Sequence, residues 1–227
     1  MTVGEMTQET WAAVDNYFGG LLAPDDPALA DALKASNAAD LPQIQVSAVQ
    51  GKLLHLIARM ISARNILEIG TLGGYSTIWM ARALPEDGRI ITLEANEKHA
   101  EVARKNFKRA GVTNKVDLRL GKALDTLPKI AAEGRGPFDL FFIDANKANQ
   151  PESFEWSLKL ARRGSVIIAD NVVRSGGVLN AKSDDADIQG IRRFTEMVSK
   201  EKRVSATALQ TVNAKAYDGF ALVLVTG

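Results

Sequence analysis

No cysteine occurs among the 227 residues, so neither a disulfide framework nor a thiolate metal site can form. Any metal must be held by oxygen or imidazole. No run of 18 apolar residues is present, and the first residues carry Glu5, Glu9 and Asp15 with neither a basic start nor an apolar stretch behind it. No membrane partner and a cytoplasmic location are therefore expected. Charge of one sign is also lacking: Lys+Arg 28 stand against Asp+Glu 27, with no long basic run to attract a phosphate backbone, so no nucleic-acid partner is expected. Neither repeats nor low-complexity tracts interrupt the chain. What remains, 46% hydrophobic and 24% charged, is the composition of one globular domain over residues 1–227.

From Asn65 onward, short β-branched runs alternate with helical stretches, the pattern of βαβ units. Strands are predicted near 65–70, 89–94, 115–120, 138–144, 165–170, 204–210 and 220–225, and helices near 75–84, 97–110, 122–132, 151–161 and 188–200. The last two strands are too close for a crossover helix, so they should pair as an antiparallel hairpin. The expected fold class is α/β: a Rossmann-like, seven-stranded, mostly parallel sheet with one antiparallel edge strand and helices on both faces. Residues 1–64 read instead as a helical layer, with helices over Trp11 to Leu22, Pro27 to Ser36 and Ser47 to Ser62 and a linker at Pro24-Asp25-Asp26-Pro27. That layer has the sheet, a substrate cleft or a second subunit to cover.

Two apolar strands end in acids: Phe141-Phe142-Ile143-Asp144, followed by Lys147, and Val166-Ile167-Ile168-Ala169-Asp170-Asn171. Desolvating an unpaired charge costs several kcal/mol, so a bound cation is the expected compensation. Asp144, Asp170 and Asn171 offer only hard oxygens, a set suited to Mg2+ or Ca2+, with Mn2+ a further option. The competing explanation is turn and cap chemistry, which Asp and Asn also favour.

The first strand runs Ile66-Leu67-Glu68-Ile69-Gly70 and turns through Thr71-Leu72-Gly73-Gly74 into a helix near Tyr75-Ser76, whose free N–H groups suit an anion such as a carboxylate. Glu94 ends the second strand, where an acid can accept ribose hydroxyls. A dinucleotide would also fit such a sheet. Yet Thr71 stands where a second glycine should meet a pyrophosphate, and Glu68 would repel one. A ligand with a positive amine, a carboxylate and a ribose, such as S-adenosylmethionine, suits the spacing better.

These motifs, together with Gln45-Val46-Ser47 and Gln50-Gly51, Leu84-Pro85-Glu86-Asp87-Gly88, Asp144-Ala145-Asn146-Lys147, Asp170-Asn171-Val172 and Tyr217-Asp218-Gly219, give the chain a resemblance to the cation-dependent O-methyltransferases of the class I S-adenosylmethionine superfamily, the group of the caffeoyl-CoA and catechol enzymes. The resemblance implies that Glu68, Gly70, Thr71, Gly74, Tyr75 and Ser76 surround the methionine end of the cofactor and that Glu94 holds the ribose. It implies that Gly121 and Ala123 border the adenine, that Ile44 and Val46 close over the ligand, and that Asp144 touches cofactor and metal alike. Lys147 matches the general base, and the acceptor is a small diol or phenol, methylated on one hydroxyl. Family members are commonly homodimers. Arg174 and Gln150 stand where aromatic residues are common, and Arg174 points to an acceptor bearing a carboxylate or phosphate.

Two other readings stay open on the residues alone: an NAD-type oxidoreductase, and a regulator that binds the cofactor without turnover. His55 and His99 fall in helical segments away from every motif and read as structural.

Overall fold

The computed structural model describes residues 7–23 and 26–227; the Pro24-Asp25 half of the expected linker lies outside them. Three helices come first, α1 (Gln8–Leu22), α2 (Pro27–Ala38) and α3 (Ala48–Met60). Each has its N-cap in the sequence: Thr7, Asp26 and Ser47 accept backbone N–H groups of the first turn, and Pro27 opens α2 with its ring already at helical φ. The alternating region then follows as β1 (Asn65–Ile69), α4 (Tyr75–Ala83), β2 (Arg89–Glu94), α5 (Glu97–Arg109), β3 (Val116–Leu120), α6 (Ala123–Ala132), β4 (Phe138–Ile143), α7 (Gln150–Leu160), β5 (Ala161–Asp170), α8 (Ala186–Lys200), β6 (Val204–Val212) and β7 (Tyr217–Val225). No helix among the described residues is long and apolar enough to cross a membrane.

The sheet order is β3-β2-β1-β4-β5-β7-β6, with β1 to β5 parallel and the β6–β7 hairpin closing one side. The antiparallel pairing expected at that edge comes from β7, which runs against both β5 and the outermost strand β6. Strand parity sorts the core into two layers. Ile66, Ile90, Leu140, Phe142 and Ile168 meet α2 to α5, while Leu67, Ile69, Ile91, Leu93, Phe141, Ile143 and Ile167 meet α6 to α8. The expected N-terminal helical layer is present: α3 packs on α4 and α2 on α5, whereas α1 rests on α3 and buries no side chain. From there α1 reaches the hairpin tip, where Gln8 Nε2 donates to Asn213 O at 2.9 Å and Asp15 Oδ2 accepts Ala214 N at 3.0 Å.

Helix α8 seats the turn that carries Lys147. Asp187 Oδ1 accepts Ala148 N at 3.2 Å and Arg193 donates to Ala148 O at 3.1 Å. Gly190 makes the approach possible, because a Cβ there would stand 2.1 Å from Lys147 O and 2.6 Å from Ala148 Cα. Gly190→Ala is expected to destabilise the protein by about 1–3 kcal/mol through overpacking, read as a lower urea midpoint at unchanged m-value. An unchanged midpoint would mean that the helix moves aside freely.

Parity also decides where Glu68 points. It shares a face with Ile66, under α4, and is fully buried. Its Oε1 accepts Ser76 Oγ, and its Oε2 accepts Thr77 Oγ1 together with Thr92 Oγ1 at 2.6 Å, so the carboxyl clamps the start of α4 to β1 and β2. Burial pushes its pKa from 4.5 up to about 7, against the pull of the hydroxyl donors. The folded state thus binds more protons than the unfolded chain between those values, and stability is expected to fall as pH rises from 4.5 to about 7. Glu68→Gln should remove that part of the slope; parallel stability curves for the two proteins across the window would refute it.

Candidate active site

The carboxyl ends of β1 to β5 open into a cavity of about 1040 Å³, at the point where the strand order reverses between β1 and β4. That is room for a nucleoside-sized ligand and a small second molecule together. Ile44, Val46, Gly70, Thr71, Tyr75 and Ser76 line it near β1; Glu94, Gly121 and Ala123 line the end beyond β2 and β3; Asp144, Lys147 and Asn171 line the end beyond β4 and β5. The two clusters inferred from the sequence thus meet in one crevice. Glu68, Gly74 and Asp170 are placed behind its wall, the first acting through Ser76 and the second opening α4 from a left-handed φ of 82°.

The two strand tips are bound to each other. Asp144 N donates to Ile69 O at 2.9 Å, and Gly70, at φ 104°, passes so close that a Cβ would fall 2.0 Å from Asp144 O. Only glycine tolerates both the angle and the contact. Across the next strand, Glu94 is held in a fixed pose: Oε2 accepts Leu72 N at 2.8 Å and Oε1 accepts Asn96 N at 2.9 Å. His99 Nδ1 lies 3.5 Å from the same Oε1, and the ring lines the cavity. The expectation that both histidines sit apart from the motifs therefore fails for His99. The first turn of α5 returns it to the tip of β2.

At the other end Lys147 is 5% exposed, with Nζ 2.8 Å from Asp144 Oδ1. Asp170 is equally buried: Oδ2 accepts Gln50 Nε2 at 2.8 Å and Oδ1 accepts Asn171 N at 2.9 Å. Burial first, and then the neighbouring Asp144 carboxylate, push Asp170 above the usual carboxylate range, opposed by Lys147. Asn171 itself adopts φ 56°, a left-handed conformation that Asn accepts more readily than most residues. Among the described residues no three His, Cys, Asp or Glu side chains gather as for a metal, so a site here depends on the Asn171 amide oxygen as third ligand. The donor set still fits a hard cation, since it is all oxygen and holds a carboxylate that its like-charged neighbour disfavours.

Gln50, from the motif that runs Gln45 to Gly51, sits on α3 and reaches Asp170 from behind the wall. A further lining group carries no mark in the sequence. Lys215 projects from the hairpin tip into the cavity wall, where its Nζ donates to Gln45 O. Desolvation pushes Lys215 below the usual lysine range, opposed by attraction to Asp144 and Asp170. Arg174 also lines the cavity, with its guanidinium 3.5 Å from Asp187.

A family model described as O-methyltransferase matches residues 22–224. The catechol O-methyltransferase of Mycobacterium tuberculosis is 56% identical over 212 residues, covering 93% of this chain and 94% of that protein. Among solved structures, the O-methyltransferase from Bacillus cereus in complex with SAH has a TM-score of 0.96 at 55% identity, covering 97% of this chain and 100% of that one. The O-methyltransferase TomG from Streptomyces achromogenes, involved in tomaymycin synthesis and solved with SAM, gives 0.95 at 53% identity, covering 98% and 100%. The oxidoreductase and the silent regulator, which the strand pattern alone left open, are set aside by these likenesses. With cavity, strand tips and matched residues all falling within one stretch of sequence, the chain belongs to the O-methyltransferase family.

Proposed function

We propose that this enzyme transfers a methyl group from S-adenosylmethionine to one hydroxyl of a small vicinal diol or phenol, with a divalent cation, magnesium first, held by Asp144, Asp170 and Asn171. The observation that carries the reading is the burial of Lys147. A lysine three residues past an aspartate is ordinarily solvated, yet this one is 5% exposed and paired with Asp144 at 2.8 Å, in the wall of the cavity. Burying an ammonium costs several kcal/mol before pairing, which favours a chemical role over a solvated one. The names of the similar proteins, among them a catechol O-methyltransferase and structures solved with SAM or SAH, support the same reading.

S-adenosylmethionine supplies, when bound, a methyl group on a sulfonium that an oxygen nucleophile can displace. A divalent cation supplies Lewis acidity, which eases ionisation of a coordinated hydroxyl. The chain's own part is positioning and proton transfer. Glu94, already immobilised by Leu72 N and Asn96 N, turns its free lone pairs to the ribose hydroxyls. The start of α4 at Tyr75 and Ser76 directs backbone N–H groups at the methionine carboxylate. Ile44 and Val46 close the cofactor end against water. Lys147 Nζ, having lost its own proton to solvent, would accept that of the acceptor hydroxyl as a neutral amine. Holding the reacting oxygen in line with the methyl contributes up to about 7–11 kcal/mol.

Lys147→Ala is expected to lower kcat by about 100-fold or more while leaving KM for the diol within a few-fold, because proton transfer is what it removes. Asp170→Asn should abolish the stimulation of turnover by magnesium yet keep S-adenosylhomocysteine affinity, measured by calorimetry. Wild-type turnover that withstands a strong chelator would rule out the cation.

A further inference from the structure

The geometry points to a carboxylate subsite at the mouth of the acceptor end, formed by Lys215, so that the acceptor is an acidic catechol rather than a neutral one; this rests on the diol reading above. The charged side chains lining or backing that end of the cavity are Asp144, Asp170, Asp187 and Asp218 against Lys147, Arg174 and Lys215. Two of the cations are answered: Lys147 by Asp144 at 2.8 Å, and Arg174 by Asp187 at 3.5 Å. Lys215 is not. Among the described residues its ammonium meets only a neutral carbonyl, Gln45 O, with Asp144 and Asp170 acting on it from beyond ion-pair distance.

Lys215 is therefore the cation free to receive a negative charge on the acceptor. A backbone carbonyl is a weaker partner for an ammonium than a carboxylate, so the exchange is favourable. A phosphate dianion fits less well, because Arg174 is already engaged by Asp187.

The backbone of the turn that carries the lysine is held on both sides. Asn213 Oδ1 accepts Lys215 N at 2.8 Å and Ala216 N at 3.1 Å, closing the turn on itself. Asp15 and Gln8 of α1 then hold that turn from outside, through Ala214 N at 3.0 Å and Asn213 O at 2.9 Å. The turn backbone therefore has little ordering left to lose when an anion arrives.

The test titrates protocatechuate and its uncharged amide, by calorimetry, into protein saturated with S-adenosylhomocysteine and magnesium. Wild type should bind the acid about tenfold or more tightly than the amide, Lys215→Met should erase the difference, and Lys215→Arg should keep most of it. Equal binding of acid and amide by wild type would overturn the subsite. So would a parallel loss of both in Lys215→Met, which would make the lysine a latch on Gln45. Turnover of the same pair is read separately: Lys215-dependent preference in binding with neither compound methylated would defeat the diol reading and leave the subsite standing.

Discussion

The close contact between the ends of β1 and β4 is the constraint on which the site depends. Asp144 N bonds to Ile69 O, and the missing side chain of Gly70 lets the two strand ends lie against each other. Because they touch, the residue that ends β4 becomes the neighbour of the first turn, and whatever binds at that turn shares Asp144 with whatever binds at β5. A larger residue at position 70 would separate the halves by pushing on backbone, where no rotamer change can absorb it. The cavity is one space rather than two because of that contact.

Acids on adjacent strands then create an electrostatic demand that the fold meets locally in three different ways. Glu68 lies under α4 and is met by hydroxyls from Ser76, Thr77 and Thr92, neutral groups that cannot fully answer a charge, which is why burial dominates its pKa. Glu94 is met by backbone N–H groups and His99, and remains open to the cavity. Asp144 and Asp170 are met by Lys147 and Gln50, which leaves their mutual repulsion standing. Glu68 and Asp170, both pushed up to about 7, carry the unmet charge, and the second lies where a cation would sit.

Much of this was legible in the sequence, for physical reasons that differ by element. The strands declared themselves because a parallel sheet buried on both faces demands uninterrupted apolar runs, and acids at the ends of such runs stand out. Helices α2, α3 and α5 start at Asp26, Ser47 and Asn96, whose side chains accept first-turn N–H groups. Glu68 was read as an acid of the first turn, but a shift of one residue along a strand changes the face, and the carboxyl points under α4 rather than into the cavity. Periodicity places His99 only on a helix, whereas its role comes from the turn that brings the start of α5 back over β2. Gln50 stands within a motif of the resemblance, but its meeting with Asp170, like that of Lys215 with Gln45, comes only through tertiary packing, which no local pattern announces.

The hairpin explains how so distant a segment comes to serve the site. Parallel strands all deliver their carboxyl ends to the cavity and must then leave by a helix on one face. A strand running the other way begins at the cavity. Reversed β7 starts there with Tyr217 and Asp218, and β6 arrives there with Val212, so the short connection 213–216 is held directly above the acceptor end. Asp218 turns this to use: its Oδ1 accepts Val173 N at 3.0 Å and Arg174 N at 2.9 Å, fixing the loop after Asn171 in a conformation where Arg174 and Ser175 both take positive φ. Lys215 comes from the same turn. One reversal of strand direction therefore supplies both the brace behind Asn171 and the charge over the mouth, two functions that a seventh parallel strand would have carried away from the site.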